Sequence, residues 1–288
     1  TGARRRIERA WRDWFPTAAG GRVRVLRGDL ALPGLGIDPE QYSDLVGGLT
    51  HVIHAAAELQ LDGHLGELRR VNVGGTSRVL ELARRAHADH GLQRFASVST
   101  AYVAGGRTGE VAEADLLEAH GFSNAYEQTK FEAETLVREA MSDLPACVLR
   151  PGMVVGDSLT GEIQSFNTVY VPLRLYLAGG LPLVPASPEM PLNIVPVDYV
   201  AAAIARLTFD PRAEGLTFHL TVAQEHQPRS RDLLESARSW SAARLGSAPA
   251  PARFVRLRAP ADRRIADRLG LPACLLSYFG ERRSYRRD

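Results

Sequence analysis

"THVIHAAAELQLDGHLGELRRVNVGGTSRVLELARRAHADHGLQRFASVST", residues 50–100, carries the pattern on which the fold turns. Residues 50–57 are an apolar run of strand length. In 66–88 Leu68, Val71, Val79, Leu80 and Ala83 recur near the helical period, and "RFASVSTAYV" (94–103) is strand-like again. Strand, helix and strand in that order form a crossover unit, and crossovers join parallel strands. The rhythm extends both ways. "RVRVLRGDL" (22–30) reads as a strand ending in a turn-prone Gly-Asp, a helix is expected from about Ala125 to Met141, and "PACVLRPGMVVG" (145–156) reads as strand. The expectation is an α/β fold, a doubly wound, Rossmann-like parallel sheet covered on both faces, with a smaller C-terminal lobe.

After Gly156 the character changes. Residues 157–193 are rich in Pro, Gly and aromatics without clean periodicity, and "LNIVPVDYVAAAIARLTF" (192–209) restores a strand-to-helix step. The expected division is a main domain of 1–156 plus 196–222 and a substrate lobe of 157–195 plus 223–288. No internal repeat is evident.

The bulk composition excludes several classes. With 45% apolar residues, 24% charged and a formal net charge of +2, the chain reads as a soluble globular protein without nucleic acid as a main partner. Arginines outnumber acids in the tail 253–288, which reads as a solvated face or a linker. Cys147 and Cys274 cannot make a disulfide framework, which fits a reducing cytoplasm. No apolar run approaches the ~18 residues of a membrane span, and no His, Cys or carboxylate pair has metal-site spacing, so neither a span nor a metal is expected.

Of 35 Lys and Arg positions, 34 are Arg; Lys130, in "NAYEQTKFEAE" (124–134), stands alone. Tyr126 lies four residues earlier among good helix formers, so the two side chains share a face. A phenol is a poor acid-base group at neutral pH, and a nearby ammonium draws its pKa down. An ammonium is also a compact charge with three rotating donors, which a planar guanidinium cannot imitate.

"HVIHAAA", "RVNVGGT", "ASVSTAYVAG", "NAYEQTK", "LRPGMVVGD" and "LNIVPVDYV", in this order and spacing, resemble the extended short-chain dehydrogenase/reductases over residues 22–222. Within them the chain is most similar to the thioester reductase branch, which comprises terminal reductase domains of peptide and polyketide synthetases, carboxylic acid reductases and fatty acyl-CoA reductases. The resemblance implies Tyr126 as general acid, Lys130 as the group that lowers its pKa and holds the nicotinamide ribose, and Thr100 as the hydroxyl on the substrate carbonyl, with Ser99 as alternative. It implies Asp29 and Leu30 at the adenine, Ala55, Ala56 and Ala57 where backbone approaches the cofactor, and Asn72 steadying the central helix. Pro151, Gly152, Met153 and Val154 would form the loop over the nicotinamide. Arg150 is expected to be structural, and His54 a satisfied core or rim residue.

The family also opens on a strand and a Gly-rich turn that receives the pyrophosphate. Here only Thr1 and Gly2 offer a match to such a turn, as its first letters or by accident. The resemblance implies NADP, with NADPH ahead of NADH, and an acyl thioester on a carrier protein or coenzyme A, with neighbouring synthase domains as further partners. Residues 157–193, with Phe166, Tyr170 and Tyr176, would line an acyl tunnel or form ordinary lobe core. Two other readings stay open: a sugar-nucleotide epimerase or dehydratase, or hydroxysteroid-type dehydrogenase, of the same fold; and a non-catalytic docking module.

Overall fold

The computed structural model describes residues 24–166, 168–181, 183–255 and 283–286. Gly2 and Cys274 fall outside them. Helix α1 (Pro39–Gly48) precedes β1 (His51–His54). A helical run follows, from Leu65–Leu68 through a π turn at Arg69–Val73 into α2 (Gly74–His90). Strand β2 (Arg94–Val98), the short β3 (Gly109–Val111), helix α3 (Ala125–Ala140) and β4 (Ala146–Pro151) come next. Beyond them lie β5 (Met153–Val155), α4 (Tyr170–Leu177), β6 (Leu183–Val184), β7 (Ile194–Pro196), α5 (Val197–Thr208) and β8 (Thr217–Leu220). Helix α6 (Ser230–Leu245), β9 (Arg253–Phe254) and β10 (Arg283–Tyr285) complete the described elements.

Four strands form one parallel sheet in the order β1-β2-β4-β8. Alternation of side chains sends Phe95, Ala146 and Val148 to one face, against Val79, Leu80 and Ala83 of α2 and Val137 and Ala140 of α3. Ala96, Cys147 and Leu149 face the other way, onto Val200 of α5 with Ala213 and Leu220. Because both faces are covered, these strands read in sequence as continuous apolar runs. A second core gathers Tyr176, Leu181, Val184, Ala186, Met190 and Leu234, joining α4 to α6.

Two expectations need correction. Residues 24–30, the described part of the first expected strand, form none. Asp29 N donates to Leu35 O and Ala31 N to Asp29 Oδ1, which folds the Gly-Asp step into a turn, and no described strand lies alongside to supply a ladder. The stretch 145–156 is two strands: β4 ends at Pro151, and β5 leaves the main sheet to pair with β7. Gly152 marks the break, and a Cβ there would lie 2.7 Å from Asn193 O, so only glycine lets the chain pass this close to β7. The helix predicted over 66–88 is present, within one helical run that carries the π turn.

Helix α3 is the element that carries Tyr126 and Lys130. Asn124 caps it by accepting from Glu127 N at 2.9 Å, while Glu127 Oε2 accepts from Ser123 N. Its buried face meets β2 and β4 through Glu134, which is inaccessible to solvent. Arg150, at the end of β4, grips the Glu134 carboxylate with Nε at 3.1 Å and Nη2 at 2.6 Å, and its remaining donors reach Glu113 O and Asp115 O. Arg138 adds a second ion pair from the next helical turn. Arg150→Met would leave the carboxylate buried with half its cationic support, so it is expected to cost about 3–5 kcal/mol in urea denaturation. A loss below ~1 kcal/mol would mean that Arg138 alone satisfies Glu134.

Candidate active site

Three segments converge beyond the carboxyl ends of β1, β2 and β4. With helix α3 they enclose a cleft of ≈ 220 Å³ lined by Ala55 and Ala57, Ser99 and Thr100, Tyr126 and Lys130, and the stretch Pro151 to Val154. Ligand clefts of doubly wound sheets lie at this end because loops there diverge from the strand ends. Tyr102, within the "ASVSTAYVAG" stretch, also lines it, as do Leu59, Leu61 and Thr168, which no motif in the sequence marks.

Lys130 is buried and donates through Nζ to Val98 O at 2.9 Å. Burial pulls its ammonium down to about 8, with the Glu134 charge one turn away resisting the fall. Tyr126 is partly buried, and burial, helped by the Glu127 charge, pushes its phenol up to about 12. The expected lowering of the phenol by Lys130 is therefore not found in this cleft: loss of hydration and the Glu127 charge both act to raise it. A phenol held protonated is the form that a general acid requires.

The two hydroxyls at the end of β2 are treated differently. Ser99 Oγ donates to Glu134 Oε2 at 2.6 Å, which commits its proton to the carboxylate below the cleft. Thr100 Oγ1 accepts from Tyr102 N at 3.3 Å, capping the turn Ala101–Ala104. Its own O–H remains to donate into the cleft.

The other expected residues divide into those at the cleft and those behind it. Ala55, Ala57, Pro151, Gly152, Met153 and Val154 line it, whereas Ala56 is exposed beside it. Asn72 is buried; Nδ2 donates to Glu58 O and Thr129 Oγ1, and Oδ1 accepts from Glu58 N, tying the loop after β1 to α3. Asp29 and Leu30 do not line this cleft: the Asp29 carboxylate closes its own turn, and Leu30 packs beside Gly75 while its carbonyl accepts from Arg78. His54 Nε2 lies 2.9 Å from Thr76 Oγ1, whose proton goes to Asn72 O, so the imidazole proton sits on Nε2. Burial and then the Lys130 charge push His54 down to about 4, which keeps it neutral.

One wall thus offers an ammonium and hydroxyls, and the other offers small residues and a Pro-Gly-Met backbone. Such a cleft fits a nicotinamide ring with its ribose. Among the described residues no group of three His, Cys, Asp or Glu is placed to hold a metal ion, and no helix is long and apolar enough to cross a membrane. Sequence reasoning missed Glu134 and Asn193, which hold these walls from behind; the i, i+4 spacing of Glu134 from Lys130 was the available signal.

Comparison with known proteins bears on the same residues. The family described as male sterility protein, an NAD-binding family, matches residues 2–204. L-2-aminoadipate reductase from Saccharomyces cerevisiae is 30% identical over 228 residues, 74% of this chain and 16% of its own length. Fatty acyl-CoA reductase wat from Drosophila melanogaster is 27% identical over 220 residues, 66% of this chain and 41% of its own length. The chain therefore spans a minor part of these relatives. The terminal R domain from the myxalamid PKS-NRPS biosynthetic pathway superposes with a TM-score of 0.67 at 28% identity, over 87% of this chain and 61% of that one. DesIV, a dTDP-glucose 4,6-dehydratase from Streptomyces venezuelae, shares the fold with a TM-score of 0.64 at 20% identity, over 95% of this chain and 73% of that one. On the family match, with the parallel sheet and the cleft at its carboxyl ends, the chain belongs to the thioester reductase branch of the extended short-chain dehydrogenase/reductases, a family of NAD(P)H-dependent oxidoreductases.

Proposed function

We propose that this chain reduces an acyl thioester, carried on a phosphopantetheine arm of a carrier protein or on coenzyme A, to an aldehyde or alcohol, with NADPH used ahead of NADH. The observation that supports it best is the meeting of Thr100, Tyr126 and Lys130 in one cleft at the carboxyl ends of the strands. A bound nicotinamide cofactor supplies hydride to the thioester carbonyl carbon. The Thr100 O–H and the Tyr126 phenol donate to the carbonyl oxygen as it gains negative charge, a task suited to donors fixed in place beforehand. Tyr126 then gives that oxygen its proton. Cleavage of the carbon–sulfur bond of the resulting hemithioacetal, its hydroxyl proton returning to the Tyr126 phenolate, releases the aldehyde and a thiolate that takes its proton from solvent.

Lys130 holds the ribose hydroxyls and offsets the developing charge. Arginine would fit poorly: Nζ is buried, donates to Val98 O and lies near enough to His54 for its charge to be felt, and a five-donor fork there would leave several N–H groups buried without acceptors. Ala55, Ala57 and Gly152 keep the walls low enough for backbone to reach the ring. Residues 1–156 with 196–222 would form the dinucleotide domain, and 157–195 with 223–288 the substrate lobe. The packing of Tyr176, Leu181, Val184 and Met190 against Leu234 of α6 favours that division. Tyr170 accepts from Gly156 N, with Phe166 edge-on to it, and these rings at the start of the lobe would guide the acyl chain. Domains of a larger synthase would deliver the substrate.

Tyr126→Phe is expected to lower kcat for thioester-dependent NADPH oxidation by about 10²–10⁴-fold, with the dinucleotide Kd little changed. Equal turnover in the Phe variant would remove the general-acid role. If wild type binds dinucleotide yet oxidises none with any thioester, the epimerase or dehydrogenase chemistry of the shared fold takes precedence; if a folded wild type binds none, the docking-module reading does.

The pH dependence has a definite sign. Lys130 is held below its ordinary 10.5, at about 8, so its charged form is lost early as pH rises, while the Tyr126 phenol stays protonated. In kcat/KM for reduction we expect a plateau that falls above pH about 8. A profile level to pH ~10 would show that the Lys130 charge is not used.

A further inference from the structure

The carboxylate of Glu134 lies one helical turn beyond Lys130 on the buried face of α3, and the face it presents is crowded with charge. Arg138 approaches from α3 itself, Ser99 from β2 and Arg150 from β4. Behind Arg150 stand His219 of β8, whose Nε2 is 3.3 Å from Nη1, and the carbonyls of Glu113 and Asp115. Around Lys130 the arrangement is the opposite. Val98 at the end of β2, Ser99 and Thr100 just after it and Tyr126 on α3 share its cleft, His54 on β1 lies within reach of its charge, and the neutral imidazole and high phenol leave none of these carrying a negative charge at neutral pH.

We propose that Glu134 is a positioning residue for the reductase site, the counter-charge that keeps Lys130 an ammonium inside its closed cleft. The fold ensures that this carboxylate is ionised when Lys130 needs it: burial pulls the Glu134 carboxyl up, but the Arg150 charge and hydrogen bonds, Arg138 and the Ser99 hydroxyl outweigh burial and hold it below the usual carboxylate range. The two arginines therefore act at the cleft through one carboxylate, and the active-site lysine is tuned from the side of the helix that no ligand touches. The role of Lys130 in the cleft rests on the functional reading above; the link between Glu134 and the Lys130 charge does not.

The solitary lysine makes the test direct. Growth on lysine labelled with ¹³C and ¹⁵N places one side-chain Cε–Nζ resonance in the full chain, and its pH titration reports Lys130 without any cofactor or substrate. Wild type is expected to titrate near pH 8. Glu134→Gln should lower that midpoint by roughly one pH unit or more. Glu134→Gln with Arg150→Met removes the stranded guanidinium together with the carboxylate, so it provides a folded background should the single variant unfold, and its midpoint should move the same way. A midpoint unchanged or raised in the folded variants overturns the proposal. Titration as expected in a wild type that binds no dinucleotide would instead sink the functional reading and leave the Glu134–Lys130 link standing.

Discussion

The ion cluster centred on Glu134 is the constraint around which the site is arranged. One carboxylate takes hydrogen bonds from Arg150, Arg138 and Ser99, and so joins β4, α3 and β2 at a depth where neither strand nor helix reaches water. A buried pair such as Glu134 with Arg150 is a weak contributor to stability relative to apolar packing, because both charges lose their hydration. What it supplies is direction. The guanidinium fork fixes the rotation of α3 about its axis relative to the sheet, and that rotation decides that Lys130 and Tyr126, one and two turns away, open into the cleft rather than onto the core.

The same cluster distinguishes two neighbouring hydroxyls of identical local promise. Ser99 and Thr100 both end β2, and both read as candidates to meet a carbonyl oxygen. Glu134 captures the Ser99 proton from 35 positions away in the chain, while Thr100, pointing to the other side of the strand end, caps a turn with its oxygen and keeps its proton. Alternation along a strand makes such a division unavoidable, since successive side chains leave by opposite faces. Which hydroxyl has its proton committed is thus decided by a contact that neither residue's immediate neighbours disclose.

This explains which parts of the molecule were legible in the sequence. The β1–α2–β2 unit, α3 and the pair Tyr126 and Lys130 declare themselves through period, and period is local. The run 22–30 has strand composition, yet in 24–30 it forms a turn, because a strand needs a partner that composition cannot announce. The split of 145–156 at Gly152 depends on the approach of Asn193, whose carbonyl accepts from Met153 N and whose Oδ1 accepts from Val222 N. The pairing of β10 with β3 brings residues 283–285 beside 109–111, far apart in the chain and too short to carry a pattern. The Asp29 carboxylate closes its own turn and Leu30 packs on α2, placements that only the path of the chain reveals.

Placing an ammonium in this cleft has a thermodynamic cost that the fold carries. Lys130 falls from its ordinary 10.5 to about 8 on folding, so between those values the unfolded chain binds more protons than the native one. The sign follows: raising the pH through this window stabilises the fold, and below it the native state bears a penalty on the order of 3 kcal/mol. Function and stability therefore pull this lysine in opposite directions, since the charged form that would hold a ribose and balance an oxyanion is the form that burial disfavours. A surface lysine would carry no such penalty, but it would sit in water, where its field on a reacting oxygen is screened. The compromise is a lysine buried enough to act and backed by one ionised carboxylate, which in turn needs two arginines to remain ionised.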